Sequence, residues 1–342
     1  MVTIEAIAGK AGVSKATVSR VLNGAQNVSE TTRRNVLLIA NELGYVARRS
    51  NASEDTGVTY NLGALFPINP DSIPPKSLPA DEKWDTNVIH ALERHVRGCG
   101  FNIFVSHVDM ISSDSPMPSF VTRRQVDGLF VVGGLFSEEW IRRLNATRLP
   151  VIVVGSYSNN PKTTAVYSDY YRGAFLGTSH LLTMGHRSVA LINGPGHTHT
   201  SEDKFFGYLA ALRAHGLSLD EDLVQVGKFN QTSGFEAAAK LFANGKKFSA
   251  VFVANSSMAI GLMQWAKENG VFIPHDLAVV AHHDEPVSSI VRPALSAIAL
   301  HSERLGVEAA RRMIGVLEQK ETTGAKVMLP VDLIVRESCG AK

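Results

Sequence analysis

The sequence predicts an all-helical N-terminal domain joined to a two-lobed α/β core. Three observations carry that prediction. In residues 1–46 apolar residues recur at helical spacing between caps and a glycine turn. From residue 62 short, nearly continuous apolar runs alternate with amphipathic stretches, as strands covered on both faces of a parallel sheet require. After residue 170 the same alternation begins again, so each set builds its own lobe.

The first helix is expected behind Thr3, a cap residue, with Ile4, Ile7 and Ala8 on one buried face; Ala11 and Gly12 end it. Ser14 caps the second, whose Val18, Val21 and Leu22 face inward while Lys15, Ala16, Thr17, Ser19 and Arg20 face out. Two short helices across a tight turn, with Lys, Thr, Ser and Arg early in the second, fit a helix-turn-helix that can reach base edges and phosphates. A third helix runs from the Ser29 cap through Val36, Ile39, Ala40 and Leu43 to Gly44. Residues 1–49 hold seven Lys/Arg against three Asp/Glu, a balance of +4, leaving about −2 for the remainder of a chain whose total is +2. The basic end is the helix-turn-helix end.

Residues 47–60 are linker-like, Arg48 and Arg49 giving way to Ser, Asn, Glu, Asp and Gly. The core then spans 61–342. Its strands are expected at 62–66, 101–106, 128–134 and 151–155, with helices at 87–97 and, behind the Ser137 cap, 138–145. Pro116 and Pro118 should stunt any helix in 108–125. The second lobe should hold strands at 189–194, 223–228, 249–254 and 277–282, between helices at 170–184, 205–216, 234–242 and 258–269. A helix near 303–317 and strands around 327–335 close the chain. Cys99 and Cys339 lie far apart without metal-ligand spacing, which argues against a disulfide framework and for a reducing compartment. With no signal-peptide pattern and no apolar run near ~20 residues, a cytoplasmic protein without membrane contact is expected.

In open parallel sheets ligands bind beyond the carboxyl ends of the strands. Asn255 and Ser256 follow the run at 249–254, His283, Asp284 and Glu285 follow that at 277–282, and Lys204 opens the helix beyond 189–194. The cluster His282, His283, Asp284 and Glu285 combines metal-ligand and acid/base types. Neighbours on an extended segment point apart, however, and no HExxH, GxSxG or P-loop pattern accompanies them. No metal, cofactor or catalytic set is expected.

The run AGVSKATVSRVLN, followed by a capped helix and Gly44-Tyr45, resembles the LacI/GalR family of bacterial transcription regulators. That resemblance implies a helix-turn-helix headpiece, a hinge in the minor groove, and a core like that of periplasmic binding proteins. It further implies a homodimer, or a tetramer, on near-palindromic double-stranded operator DNA, repressing under control of a small molecule, foremost a sugar or glycoside. Thr3, Ser14, Lys15, Ala16, Thr17, Ser19, Arg20 and Asn23 become candidate DNA contacts, with Arg48 and Arg49 from the linker. Asn255 matches the family's effector contact, Lys204 stands where an Arg grips sugar hydroxyls, and Phe229 where an aromatic stacks on the ligand. Trp84 lies near the first lobe's aromatic; His283 and Asp284 complete the effector set.

The chain departs from the family at Ala6, where an acidic residue is usual, and at Ser256, usually Asp. Glu54 falls where the hinge leucine wedges between bases, Ala47 and Arg48 where Pro and Asn stand. A shifted hinge, or a weakly bent complex relying on Arg48 and Arg49, is expected. The alternatives are a regulator answering to a purine or phosphosugar, a plain solute-binding protein, or an enzyme on the same scaffold.

Overall fold

The computed structural model describes residues 3–22, 28–42, 58–68 and 83–341. It divides into two compact units, Met1–Val58 and Thr59–Lys342.

In the first unit α1 (Ile4–Ala11), α2 (Lys15–Leu22) and α3 (Glu30–Glu42) enclose Ile7, Val18, Val21, Val36, Ile39 and Ala40. Thr3 Oγ1 accepts from Ala6 N at 3.4 Å, a long bond, and Gly12 ends α1 with φ +66°, a conformation that favours glycine. Ser14 Oγ accepts from Thr17 N at 3.1 Å and Ser29 Oγ from Thr32 N at 3.3 Å, the two predicted caps. Asn23, Leu43, Gly44 and the linker with Arg48, Arg49 and Glu54 lie outside the described residues, as does the side chain of Leu22.

The second unit opens with β1 (Asn61–Pro67), α4 (Lys83–Gly98), β2 (Asn102–Val108), α5 (Ser119–Thr122), β3 (Gly128–Val132), α6 (Glu138–Ala146), β4 (Val151–Val154) and β5 (Thr164–Ser168). It continues with α7 (Tyr170–Thr183), β6 (Val189–Asn193), α8 (His199–Ala214), β7 (Val224–Val226), α9 (Gln231–Ala243), β8 (Ala250–Val253) and α10 (Ser256–Glu268). Then come β9 (Ala278–His282), α11 (Pro286–Ile290), β10 (Ser296–Ala299), α12 (Ser302–Leu317), β11 (Lys326–Leu329) and β12 (Asp332–Ile334). One sheet runs β11-β5-β4-β3-β1-β2, parallel throughout; the other runs β12-β10-β9-β8-β6-β7, parallel but for β12. Strands such as β3 and β4 are buried along their whole length, which is why they read as unbroken apolar runs.

The chain passes between lobes three times, at Asp169, at His301 and between β11 and β12. These crossings are tied together. Ser168 Oγ donates to Leu300 O at 3.0 Å, Asp169 N to Leu329 O at 3.0 Å, and His301 Nε2 meets Asp332 Oδ2 at 2.8 Å. β11 and β12 thus return to different lobes, as expected from the tail.

Two strands escaped the sequence reading. β5 and β10 carry Thr164, Ser168 and Ser296, which break the apolar pattern yet are buried; Thr164 accepts from Gly324 N, and Ser296 accepts from Arg336 N. Several helices also start earlier than predicted. α4 begins at Lys83, α9 behind the Asn230 cap, and α8 behind Thr198, so Lys204 sits in the second turn of α8 instead of opening it. α5 is a single turn, as the prolines foretold.

Candidate functional site

The outer face of α2 presents Lys15, Ala16 and Arg20 to solvent, with Thr17 and Ser19 half-buried. Lys15 Nζ donates to Glu5 Oε1 at 2.7 Å, and that bond is the chief reason the Glu5 carboxyl falls to about 2. Ser14 Oγ and Thr17 Oγ1 are 2.9 Å apart and bonded to each other. Lys15 is therefore held by an acidic neighbour that the sequence reading did not single out.

In the core, side chains converge where strands of both lobes end. Trp84, in the first turn of α4, lays its indole over Gly155 just beyond β4; a Cβ there would overlap the ring, and φ is +79°. The Trp84 ring centroid is 6.3 Å from His283, which lies 6.3 Å from Tyr170. Lys204 Nζ lies 5.2 Å from the Tyr170 ring centroid and 5.1 Å from that of Phe229. The Phe229 ring packs on Gly194 beyond β6, where a side chain would collide with it.

Lys204 is only 1% exposed, and its ammonium has no hydrogen bond or ion pair among the described residues. Burial pulls it down to about 7, against the opposing charge of Asp203. His282 and His283 are driven well below the usual histidine range, first by burial and then by the charge of Lys204, so both are neutral. Among the polar atoms buried without partners at these strand ends are Trp84 Nε1, Ser156 Oγ, Asn193 Oδ1, Ser256 Oγ and His283 Nε2. Buried polar groups normally find partners, so their gathering marks a place built to receive polar atoms from elsewhere.

Two of the predicted effector contacts are bonded within the protein. Asp284 is clamped by Arg336, whose guanidinium donates to both carboxylate oxygens at 2.7 and 2.8 Å. Asn255 caps α10, its Oδ1 accepting from Met258 N at 2.9 Å, while its Nδ2 donates to Phe229 O at 2.7 Å. That second bond fixes the backbone of Phe229, which stands at φ +63°. Both side chains thus hold other parts of the site in place. Tyr170 and Arg336 were missed by sequence reasoning, since a helix-start tyrosine and an arginine near the C-terminus carry no local signal of their partners.

The lobes also meet beside this site. Tyr157 donates to Asp203 Oδ1 at 3.0 Å and stacks on His199 at 4.7 Å, and His199 Nε2 lies 3.1 Å from Glu138 Oε1. Burial works against the Glu138 charge, but bonds from Ser158, Asn159 and His199 outweigh it and keep its pKa low. Asp203 is raised, mainly by burial. Among the described residues no three His, Cys, Asp or Glu side chains group as metal ligands, and no helix is long and apolar enough to cross a membrane.

Comparison with known proteins agrees with both units. Residues 3–48 match the family described as bacterial regulatory proteins, lacI family, and residues 178–339 match a periplasmic binding protein-like domain. The chain belongs to the LacI family. The HTH-type transcriptional repressor PurR of Pasteurella multocida is 26% identical over 99% of this chain and 98% of its own. Catabolite control protein A of Priestia megaterium is 27% identical over 98% and 99%. Among solved structures, the CelR–cellobiose complex superposes with TM-score 0.73 at 26% identity, covering 99% of this chain and all of that one. The Lac repressor dimer bound to operator has the same fold, with TM-score 0.76 at 24% identity and 99% of each chain covered. A LacI-family helix-turn-helix fused to such a core makes this chain a DNA-binding transcriptional regulator. Its relatives are DNA-binding regulators, and the plain solute-binding and enzymatic readings are not favoured.

Proposed function

We propose that this LacI-family protein is a homodimeric repressor that releases or engages a near-palindromic operator in response to a small carbohydrate held between the core lobes. The carrying observation is the pocket at the strand ends. Aromatic faces from Tyr170 and Phe229 flank the Lys204 ammonium, which has no hydrogen bond or ion pair among the described residues, and Trp84 faces His283 beside a set of unsatisfied buried donors and acceptors. A sugar offers the complement, hydroxyls around its rim and a weakly apolar face. That CelR, of the same fold, was solved with cellobiose supports the carbohydrate class.

In this reading Trp84, Lys204, Phe229 and His283 touch the effector, and Asn255 and Asp284 position its contacts. Residues 47–60 act as the linker between headpiece and core, carrying Arg48 and Arg49 to the DNA backbone. On the headpiece, Lys15 and Arg20 read bases, helped by Thr17, Ser19, Ala16 and Asn23, while Thr3 and Ser14 meet phosphates. The effector acts by favouring one arrangement of the lobes over another, and DNA must oppose or favour the effector by the same factor.

The test selects operator sequences from a random pool with the full-length protein and measures binding by fluorescence anisotropy, with and without a sugar panel. A two-fold symmetric consensus and a sugar that shifts the operator Kd support the proposal. An asymmetric consensus, or an operator Kd unmoved by every sugar that binds the protein, would overturn it.

A further inference from the structure

Among the described residues, the Lys204 ammonium of the candidate pocket has no hydrogen bond or ion pair. Lys204 on α8 is 1% exposed, and among the described residues its one opposing charge, Asp203, forms no ion pair with it. Asp203, its neighbour on the same helix, accepts from the Tyr157 hydroxyl and is itself raised by burial. Tyr170 on α7 gives its hydroxyl hydrogen to Gly155 O at 2.6 Å. Asp85 on α4 is felt at Tyr170, and among the described residues Asp203 is the negative charge felt at Lys204. His282 and His283 at the end of β9 are neutral and are themselves held so partly by Lys204. Asp284, the one carboxylate just beyond β9 expected to accept sugar hydroxyls, is clamped by Arg336.

A neutral sugar gains little from such a site. Among the described residues, its hydroxyls would leave the ammonium buried without an ion-pair partner. An anion supplies that partner, and it restores the charged lysine in a setting where the pair is weakly screened. The charge should be single. Arg336 is already committed to Asp284 and the imidazoles are neutral, so a phosphate dianion would find one cation for two charges.

Resting on the cleft reading above, we infer that the effector is a sugar acid, a small polyhydroxylated carboxylate whose carboxylate pairs with Lys204. The hydroxylated body then lies against Trp84 and Phe229. Trp84 Nε1 and His283 Nε2, both buried and unpartnered, take up its hydroxyls. Binding draws a proton onto the lysine, since the empty site holds Lys204 at about 7 and the carboxylate partner raises it.

The full-length protein is titrated calorimetrically with hexuronates and aldonates, their neutral parent hexoses, hexose 6-phosphates and inorganic phosphate. A sugar acid should bind about 10- to 100-fold more tightly than its neutral parent, the range of a charge-assisted bond. Its heat at pH 7.5 should vary with the ionisation enthalpy of the buffer, reporting proton uptake in the unaltered protein. Lys204→Met, which keeps the side-chain length without the charge, should erase both the preference and the buffer dependence. A neutral hexose binding as tightly as its acid, or a sugar acid bound equally by Lys204→Met, overturns the inference and leaves the carbohydrate reading standing. Tightest binding of a hexose 6-phosphate or of phosphate overturns the carboxylate and the single charge. If no sugar of any kind binds, the carbohydrate reading itself falls, and this inference with it.

Discussion

Replacing Arg336 tests the reassignment of Asp284 from ligand contact to structural partner. The Asp284 carboxylate and Arg336 guanidinium retain 18% and 20% side-chain exposure, and the pair is bidentate at 2.7 and 2.8 Å. Arg336 Nη1 also donates to Leu295 O at 2.7 Å. Removing one partner of a fully buried pair costs about 3–5 kcal/mol. With roughly a fifth of each side chain in water, the cost of Arg336→Met should be reduced to about 2–3 kcal/mol. Asp284→Asn keeps an acceptor for one guanidinium bond and should cost less, about 1–2 kcal/mol. In urea unfolding of the full chain, followed by tryptophan fluorescence, Arg336→Met should lower the midpoint of the core transition with its slope unchanged. The two substitutions together should destabilise by less than their sum, giving a coupling of about 1–2 kcal/mol. Effector affinity should stay within about twofold for Asp284→Asn, since a residue that only braces the site leaves the contacts intact. Additive costs with no coupling, or a tenfold loss of effector affinity at unchanged stability, would refute the assignment.

Gly155→Ala, at φ +79° with Trp84 against it, should displace the indole and weaken effector binding at least tenfold by calorimetry; unchanged affinity would remove Trp84 from the site. Glu5→Ala should release Lys15 and remove a repelling carboxylate, tightening operator binding and steepening its salt dependence by up to about one counterion per headpiece, read by anisotropy across a salt series. Because burial lowers Lys204 from 10.5 to about 7, the unfolded chain binds the extra proton between those values. The ligand-free core should therefore gain stability from this group as pH rises from 7 towards 10.5. Lys204→Met should unfold at higher urea than the parent at pH 7, with the difference shrinking as pH rises; a constant difference would count against a buried, depressed lysine. Tyr157→Phe with His199→Ala removes the contacts joining the lobes beside the pocket, and should raise the radius of gyration of the ligand-free protein in small-angle scattering.

The residues alone carried the headpiece and most of the core. A cap, a periodic stripe and a left-handed glycine act within a few residues of each other, so Thr3, Gly12, Ser14 and Ser29 announce their helices without help from the rest of the chain. The same holds for strands buried on both faces, whose apolar runs are continuous because no part of them meets water. β5 and β10 were illegible because their buried hydroxyls are satisfied at a distance, Ser168 by Leu300 O and Thr164 by Gly324 N.

The pocket divides along the same line. That Lys204, Phe229, Trp84 and His283 deserved attention could be seen from their places beyond apolar runs and from the family pattern. What they do was decided by groups far along the chain. Asp284 is spent on Arg336 across 52 residues, and Asn255 on Phe229 across 26. Lys204 is buried because α7, α8 and β9 close around it, and it has no hydrogen bond or ion pair among the described residues. Sequence determines which groups are present and how each local turn forms. Only tertiary structure decides which charges are paired, since the energy of a charge depends on burial and on neighbours that the chain brings in from elsewhere.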